Sequence, residues 1–331
     1  MSSKLIKRIF LILGLVLFGG VLYKLGWDEL KTAMRQIGWW WFVIFSLAIV
    51  WQIFHTLAWH QILKFSNHRL PFINLFKLKI IAEAVNMIAP TANVGGDMTR
   101  AYLIKDQIPI SDGISSVIVD KTLDNITKLL FNSVGLFLSV LFISIPTAWI
   151  WGSIAYLIFA LIICIVLVWV QVRGVTGWVL KMANWIPRVK KELEKQKEKL
   201  ASLDGNFKEI YSKGIKNLVY ATACHLIGRT LGTVEIWLIM YLLGAPVSFM
   251  GAFFIATIVN IVMGALFLIP GQWGALEFAT LFFVKLLGFT PEIGASLAVI
   301  RRIRRVAITG IGILFFYYYG DKAKVNQAEK K

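Results

Sequence analysis

Six runs of apolar residues, near 8–25, 39–62, 114–145, 148–170, 217–243 and 293–319, govern what this chain can fold into. Each reaches or approaches the ~20 residues that carry a helix across a hydrocarbon core at about 1.5 Å per residue. Lipid offers no partner for a free backbone N–H or C=O, so an unclosed chain crosses it as helices. The links between the runs are short and polar, so a single membrane domain over 1–331 is expected. The chain is 58% hydrophobic and only 16% charged, where soluble chains carry about 25% charged residues.

The net charge of +17 comes from 35 Lys and Arg against 18 Asp and Glu. In a soluble protein that excess would point to nucleic acid. Here much of it lies in loops, where basic residues orient a membrane protein toward the cytoplasm, and no nucleic-acid partner is expected. Lys4, Lys7 and Arg8 form one group. Lys64, Arg69, Lys77, Lys79, Arg100 and Lys105 form a second, the 171–216 loop a third, and Lys322, Lys324, Lys330 and Lys331 a fourth. Placed on one side, they make both termini cytoplasmic. Within 171–216, VKKELEKQKEKLASLDGNFKEI reads as an amphipathic surface helix, and 320–331 as a basic cytoplasmic tail. Trp39, Trp40, Trp41, Trp149, Trp151, Tyr317, Tyr318 and Tyr319 read as interface anchors. The first run is long for a signal peptide and reads as an uncleaved helix. Cys164 and Cys224 show neither disulfide nor metal spacing.

Two segments break the pattern. FINLFKLKIIAEAVNMIAPTANVGGDMTRAYLI (72–104) and FMGAFFIATIVNIVMGALFLIPGQWGALEFATLFFVKLLG (249–288) are each apolar, then stopped by Pro90 or Pro270. Glycines follow (Gly95 and Gly96; Gly271 and Gly274), then an acid seven residues after the proline, Asp97 or Glu277. Proline ends a helix and glycine supplies the positive φ of a reversal. The freed backbone groups persist only inside protein or beside a water-filled cavity. With opposite entry sides, the pair predicts two re-entrant elements of an inverted repeat. For 249–288 two full spans stay open as the alternative.

Charges inside apolar runs favour the bundle interior. VIVDKTLDNITKLLF puts Asp120, Asp124 and Lys128 on one face beside Lys121, with an Asp124–Lys128 pair as the structural expectation. In HLIGRTLGTVEIW, Arg229 is expected either to pair with a carboxylate of another helix or to meet an anionic headgroup, with His225 as a proton relay the lesser reading. His55 and His60, five apart, lack a third ligand, so no metal site is assigned. LAVIRRIRRVAITG concentrates Arg301, Arg302, Arg304 and Arg305, with 301, 304 and 305 on one face. Unless Glu277, Asp97 and Glu235 converge on them, a phosphate is the natural counter-ion. The alternative has them snorkelling to an interface.

NMIAPTANVGGDMTRAYLI and LIPGQWGALEFATLFF resemble two blocks of the lysylphosphatidylglycerol synthase transmembrane region family, a flippase-like domain also found in the multiple peptide resistance factor. The resemblance covers about residues 5–320. It implies a bacterial or archaeal cytoplasmic membrane protein that handles an anionic lipid in a cavity lined by both Pro-Gly elements. Pro90, Gly95, Gly96, Asp97, Arg100, Pro270, Gly271, Gly274 and Glu277 carry over. VDKTLDN falls where members have an acid-Arg-x-x-Asp block, so Lys121 stands for the Arg and Asp124 for the Asp. Gln272-Trp273 departs from the smaller residues usual after Pro-Gly. The aminoacyl transferase domain fused to some members is not expected here.

The fold expected is therefore an all-α polytopic membrane protein, with about six full spans and two re-entrant elements in an inverted repeat. The function expected is translocation or handling of an anionic phospholipid or polyprenyl-phosphate lipid, without catalytic residues, cofactor or metal. Arg229 and the four Arg of the last run join the implied residues as lipid contacts. The alternatives are a non-catalytic partner of a lipid-modifying enzyme, and a polyprenyl-phosphate-dependent glycosyltransferase whose carboxylates would have to be Asp28 and Glu29. Homo-oligomerisation is compatible with either.

Overall fold

The computed structural model describes residues 31–32, 35–65, 70–88, 94–143, 145–183, 197–266 and 275–328. Pro90, Pro270, Gly271, Gly274 and the first expected span lie outside them. Eleven α-helices and no strand occur among the described residues: α1 (Trp41–Phe65), α2 (Phe72–Ile88), α3 (Gly95–Leu103), α4 (Ile110–Phe142), α5 (Thr147–Arg173), α6 (Val175–Ala183), α7 (Lys197–Lys213), α8 (Ile215–Leu242), α9 (Phe249–Ala265), α10 (Ala275–Leu286) and α11 (Pro291–Ala328). This is an all-α polytopic membrane fold. Arg35–Lys64, Ile110–Phe142 and Thr147–Arg173 are long and apolar enough to cross a membrane. At 28 and 38 residues, α8 and α11 have the length, but charged residues interrupt their middles. The last helix runs to Ala328, past the expected span end, so part of the expected tail is helical.

The helices repeat in order. A long helix, a 17-residue helix, a short helix and a longer helix make α1–α4, and the same series makes α8–α11. At 17 residues, about 25 Å, α2 and α9 fall short of a full 30 Å crossing, which suits helices that enter and turn back. The halves exchange partners: α2 packs on α11, and α9 packs on α4. Along the extensive α1–α8 contact, Trp51 meets Gly228, His55 meets His225, and Asn217 donates to the Gln61 carbonyl. Residue numbers rise on one helix as they fall on the other, so the pair is antiparallel. Two equivalent units meeting through antiparallel equivalent helices form an inverted repeat.

Close approach sets the position of α2. A Cβ on Gly96 would overlap the Ala82 carbonyl oxygen, and one on Gly312 would lie 2.5 Å from that of Ile80. Small residues let α3 and α11 touch the α2 backbone from two sides. Gly95 and Gly96 were expected to supply positive φ, but they are the first residues of α3. Among the described residues positive φ falls instead at Gly38, Gly174, Gly244 and Gly288. Gly96 serves packing: its N–H donates to Asn86 Oδ1 at 2.8 Å, pinning the start of α3 to the end of α2. Gly96→Ala is expected to lower thermal stability by about 1–3 kcal/mol, the usual cost of overpacking. Gly152→Ala, where an added Cβ meets nothing within 4 Å, is expected to be neutral or stabilising in the same thermal melt.

Outside the bundle, α7 is more than a solvated connector. Phe207 and Ile210 are buried against the α4 side, and Asn206 Nδ2 donates to Asp112 Oδ1 at 2.9 Å. Asp204 Oδ1 accepts from the free backbone N–H groups of Val175 and Thr176 at the start of α6, at 2.6 and 3.2 Å. Tyr211 donates to Gln171 Oε1 at 2.8 Å. Burial pushes its phenol up to about 12, so it remains a donor through the neutral range. In contrast α5 shows large apolar side chains outward along most of its length, as a lipid-facing helix does. Trp149 packs inward on Phe282 and Phe283, which corrects its reading as an interface anchor, whereas Trp39 and Trp151 are exposed.

Candidate functional site

Two charged clusters sit within the bundle, one in each half of the repeat. The first is built on α4. Asp120 is buried and takes Lys79 Nζ at 2.8 Å and Arg100 Nη2 at 2.7 Å. Asp97 holds Arg100 at 3.0 Å and Lys121 at 3.0 Å. Asp124 Oδ1 receives Arg229 Nη2 at 2.5 Å, and the same nitrogen donates to the Asp124 carbonyl at 2.7 Å. The expected Asp124–Lys128 pair therefore gives way to the inter-helix partner on α8. Lys79, expected among the cytoplasmic basic residues, is instead drawn into the bundle by Asp120.

The second cluster is built on α11. Arg302 Nη2 lies 2.5 Å from Glu277 Oε1, and Arg304 Nη1 lies 2.9 Å from Glu235 Oε2. Glu83 takes a hydrogen bond from Gln52 and lies within electrostatic reach of Arg304 and Arg305. Two of the three carboxylates named beforehand, Glu277 and Glu235, do converge here. Asp97 does not, because Arg100 and Lys121 hold it in the first cluster. Arg302 and Arg304 are buried in the bundle, which corrects the alternative that the whole group snorkels outward.

The clusters correspond under the repeat. Asp97 to Lys121 spans 24 residues and Glu277 to Arg302 spans 25, and each pair ties a short post-break helix to the long helix after it. With Lys121 set against Arg302, Asp120 falls opposite Arg301, and Asp124 opposite Arg305. Positions that are acidic in one half are thus guanidinium in the other. Among the described residues cations outnumber carboxylates in both clusters: Lys79, Arg100, Lys121 and Arg229, with Lys128 in electrostatic reach, against Asp97, Asp120 and Asp124 in the first, and the four Arg of α11 against Glu83, Glu235 and Glu277 in the second.

Arg301 forms no salt bridge with an acid among the described residues, although Glu235, held by Arg304, is within electrostatic reach. The Nε and one Nη of Arg301 are shielded from solvent and make no hydrogen bond among the described residues. The side chain of Arg305 likewise forms no hydrogen bond or salt bridge with any described residue, although it is only partly buried. Guanidinium N–H groups shielded from water without an acceptor are costly, so this place suits an acceptor-rich anionic group.

Between the clusters runs one face of α1. Trp59 stacks under Arg100 with 4.5 Å from guanidinium carbon to ring centre, and Trp51 under Arg304 with 5.1 Å. Between these tryptophans lies His55, whose Nδ1 is 2.8 Å from Nδ1 of His225. His225 Nε2 is 3.2 Å from Asp120 Oδ1, and Asp124 Oδ1 lies 3.8 Å from His55 Nδ1 and 3.6 Å from His225 Nδ1. His60 is not part of this group. The third polar partner that sequence spacing could not provide comes from α8 and α4. Three ligand-type atoms this close have the spacing of a cation site. The four neighbouring cations, including Arg229 on the same Asp124 oxygen, oppose a divalent ion.

Sequence reasoning missed Trp51, Gln52, Trp59, Lys79 and Glu83 as site residues. Lys79 and Glu83 stand four apart in a mostly apolar helix, the spacing of one helical face, and that signal marks α2 as a contributor.

Residues 5–312 match the family described as lysylphosphatidylglycerol synthase TM region. A UPF0104 membrane protein of Methanothermobacter thermautotrophicus is 22% identical over 341 aligned positions, covering 97% of this chain and 98% of that one. A UPF0104 membrane protein of Methanocaldococcus jannaschii is 27% identical over 135 positions, 40% of each chain. No solved structure matches.

Proposed function

The chain belongs to the lysylphosphatidylglycerol synthase transmembrane region family, and from that premise we propose that it moves an anionic lipid between leaflets of the cytoplasmic membrane. Arg301 carries the reading, being a part-buried guanidinium in the middle of α11 whose Nε and one Nη are shielded from solvent and find no acceptor among the described residues. A phosphate or phosphodiester fits it, because Arg stays charged and offers a planar fork of donors to paired oxygens. Arg305 lies one turn further along the same face. The inverted repeat supplies the second element of a carrier, two equivalent halves that open to opposite sides about one site. In this reading the protein is multi-pass with both termini cytoplasmic, as the loop charges favour.

The test is leaflet accessibility of a fluorescent phosphatidylglycerol in reconstituted vesicles. Wild type is expected to move the probe well above protein-free vesicles. Glu277→Ala frees Arg302 from its partner and is expected to slow it. Equal background rates for wild type, Glu277→Ala and Arg301→Ala would remove the proposal.

A further inference from the structure

We infer that His55 and His225 form a shared proton-binding site at the crossing of the two halves. The observation is a hydrogen-bond chain whose proton positions are set by geometry. Asp120 faces Lys79 and Arg100 as a carboxylate, so at 3.2 Å it accepts from His225 and requires a proton on His225 Nε2. A neutral His225 then has a bare Nδ1, and the 2.8 Å contact requires the proton on His55 Nδ1. This assignment follows from the network. It leaves His55 Nε2 as a lone pair that is buried and makes no hydrogen bond among the described residues.

One proton fits this chain. Added at His55 Nε2, it makes the pair singly positive; passage of the Nδ1 proton to His225 then moves that charge toward Asp120. No bond other than N–H changes. Burial of the pair opposes the added charge, as do Lys79 from α2 and Arg229 from α8, while Asp120 and Asp124 from α4 favour it. A single charge meets two carboxylates here. A divalent ion would add twice that charge beside the same cations and would have to share Asp124 Oδ1 with Arg229.

Proton binding has a mechanical consequence. A charged His225 competes with Lys79 and Arg100 for Asp120, a carboxylate that ties α2 to α4 and joins the Asp97–Lys121 pair in tying α3 to it. Protonation therefore loosens the first broken element from the long helix behind it. Coupling of this event to lipid movement rests on the transport reading; the proton site itself does not.

The test has two arms. Protein labelled with 15N-histidine, in nanodiscs, is followed by solid-state NMR from pH 5 to 9. Wild type is expected to show the two rings changing together as one proton is taken up, with the shared step lost in both His55→Gln and His225→Gln. Independent titration, or no change in either ring, overturns the proton site. A stoichiometric divalent metal retained by purified wild type and lost from His225→Gln also overturns it. The second arm imposes a pH difference across vesicles containing fluorescent phosphatidylglycerol. One unit biases a single coupled proton by about tenfold. Wild-type transport is expected to follow the gradient, and the ratio of rates with and without it is expected to fall to one in His225→Gln. Wild-type transport that ignores the gradient overturns the coupling. A shared titration with no transport at all retains the proton site and removes the transport reading instead.

Discussion

Replacing Arg301 with methionine is expected to make the empty protein more stable while removing its hold on anionic lipid. Those two effects have opposite signs for one reason. A charge near the centre of a bilayer costs about 2.5–3.5 kcal/mol on insertion scales. Arg302 and Arg304 have Glu277 and Glu235 to offset that cost, whereas Arg301 has no such partner among the described residues. Methionine keeps the length of the side chain and removes the unpaired charge, so the melting temperature in lipid-free detergent is expected to rise. A hydrogen bond to a charged group contributes about 1.5–3 kcal/mol, so binding of phosphatidylglycerol is expected to weaken about 10- to 100-fold. A residue kept only for packing would lose stability on replacement and leave lipid binding unchanged.

Asp120→Asn is expected to give the largest loss of stability of any single isosteric change in the bundle. The substitution preserves shape and removes one charge. Two cations, the buried Arg100 and the part-buried Lys79, then share what remains, and His225 loses its charged acceptor. Breaking one side of a buried ion pair costs about 3–5 kcal/mol, and here two pairs share the carboxylate. Adding Lys79→Met is expected to recover part of the loss, because it removes one of the stranded charges. Glu277→Gln is the comparison. Its side chain is 34% exposed, so water already weakens its pair with Arg302, and a smaller shift is expected. Thermal unfolding of the four proteins in one detergent measures all three differences.

How much of this was legible in the sequence varies with range. Span positions for α1, α4, α5, α8 and α11 follow from apolar length alone, because lipid permits few alternatives to a helix of that length. The repeat was legible through its Pro-Gly-acid blocks, and the Asp97–Lys121 and Glu277–Arg302 pairs lie within one block and the helix after it. Partnerships between distant helices were not. Asp124 has Lys128 one turn away in the sequence but takes Arg229, because α8 crosses α4 at that level and Arg reaches both its carboxylate and its carbonyl. Periodicity cannot choose between a local partner and one brought in by packing.

Gly95 and Gly96 fail in an instructive way. After a proline, glycine reads as a turn residue, yet here both open α3, and Gly96 is needed because a neighbouring backbone lies where its Cβ would be. Lys79 was assigned by its charge to the cytoplasmic side when its position in an apolar helix, four before Glu83, was the better guide. The histidine pair was invisible for the same reason as the Asp124 partner: His55 and His225 are 170 residues apart and meet only where α1 and α8 cross.

The central claim is that an anionic lipid group is the missing partner of Arg301 and Arg305. Native mass spectrometry of the protein released from membranes tests it directly, comparing wild type with Arg301→Met and with the Arg301→Met/Arg305→Met pair. Retention of an anionic lipid by wild type, reduced in the single variant and lost in the double, is the predicted result. Equal retention in all three proteins, or retention of zwitterionic lipid alone, contradicts it.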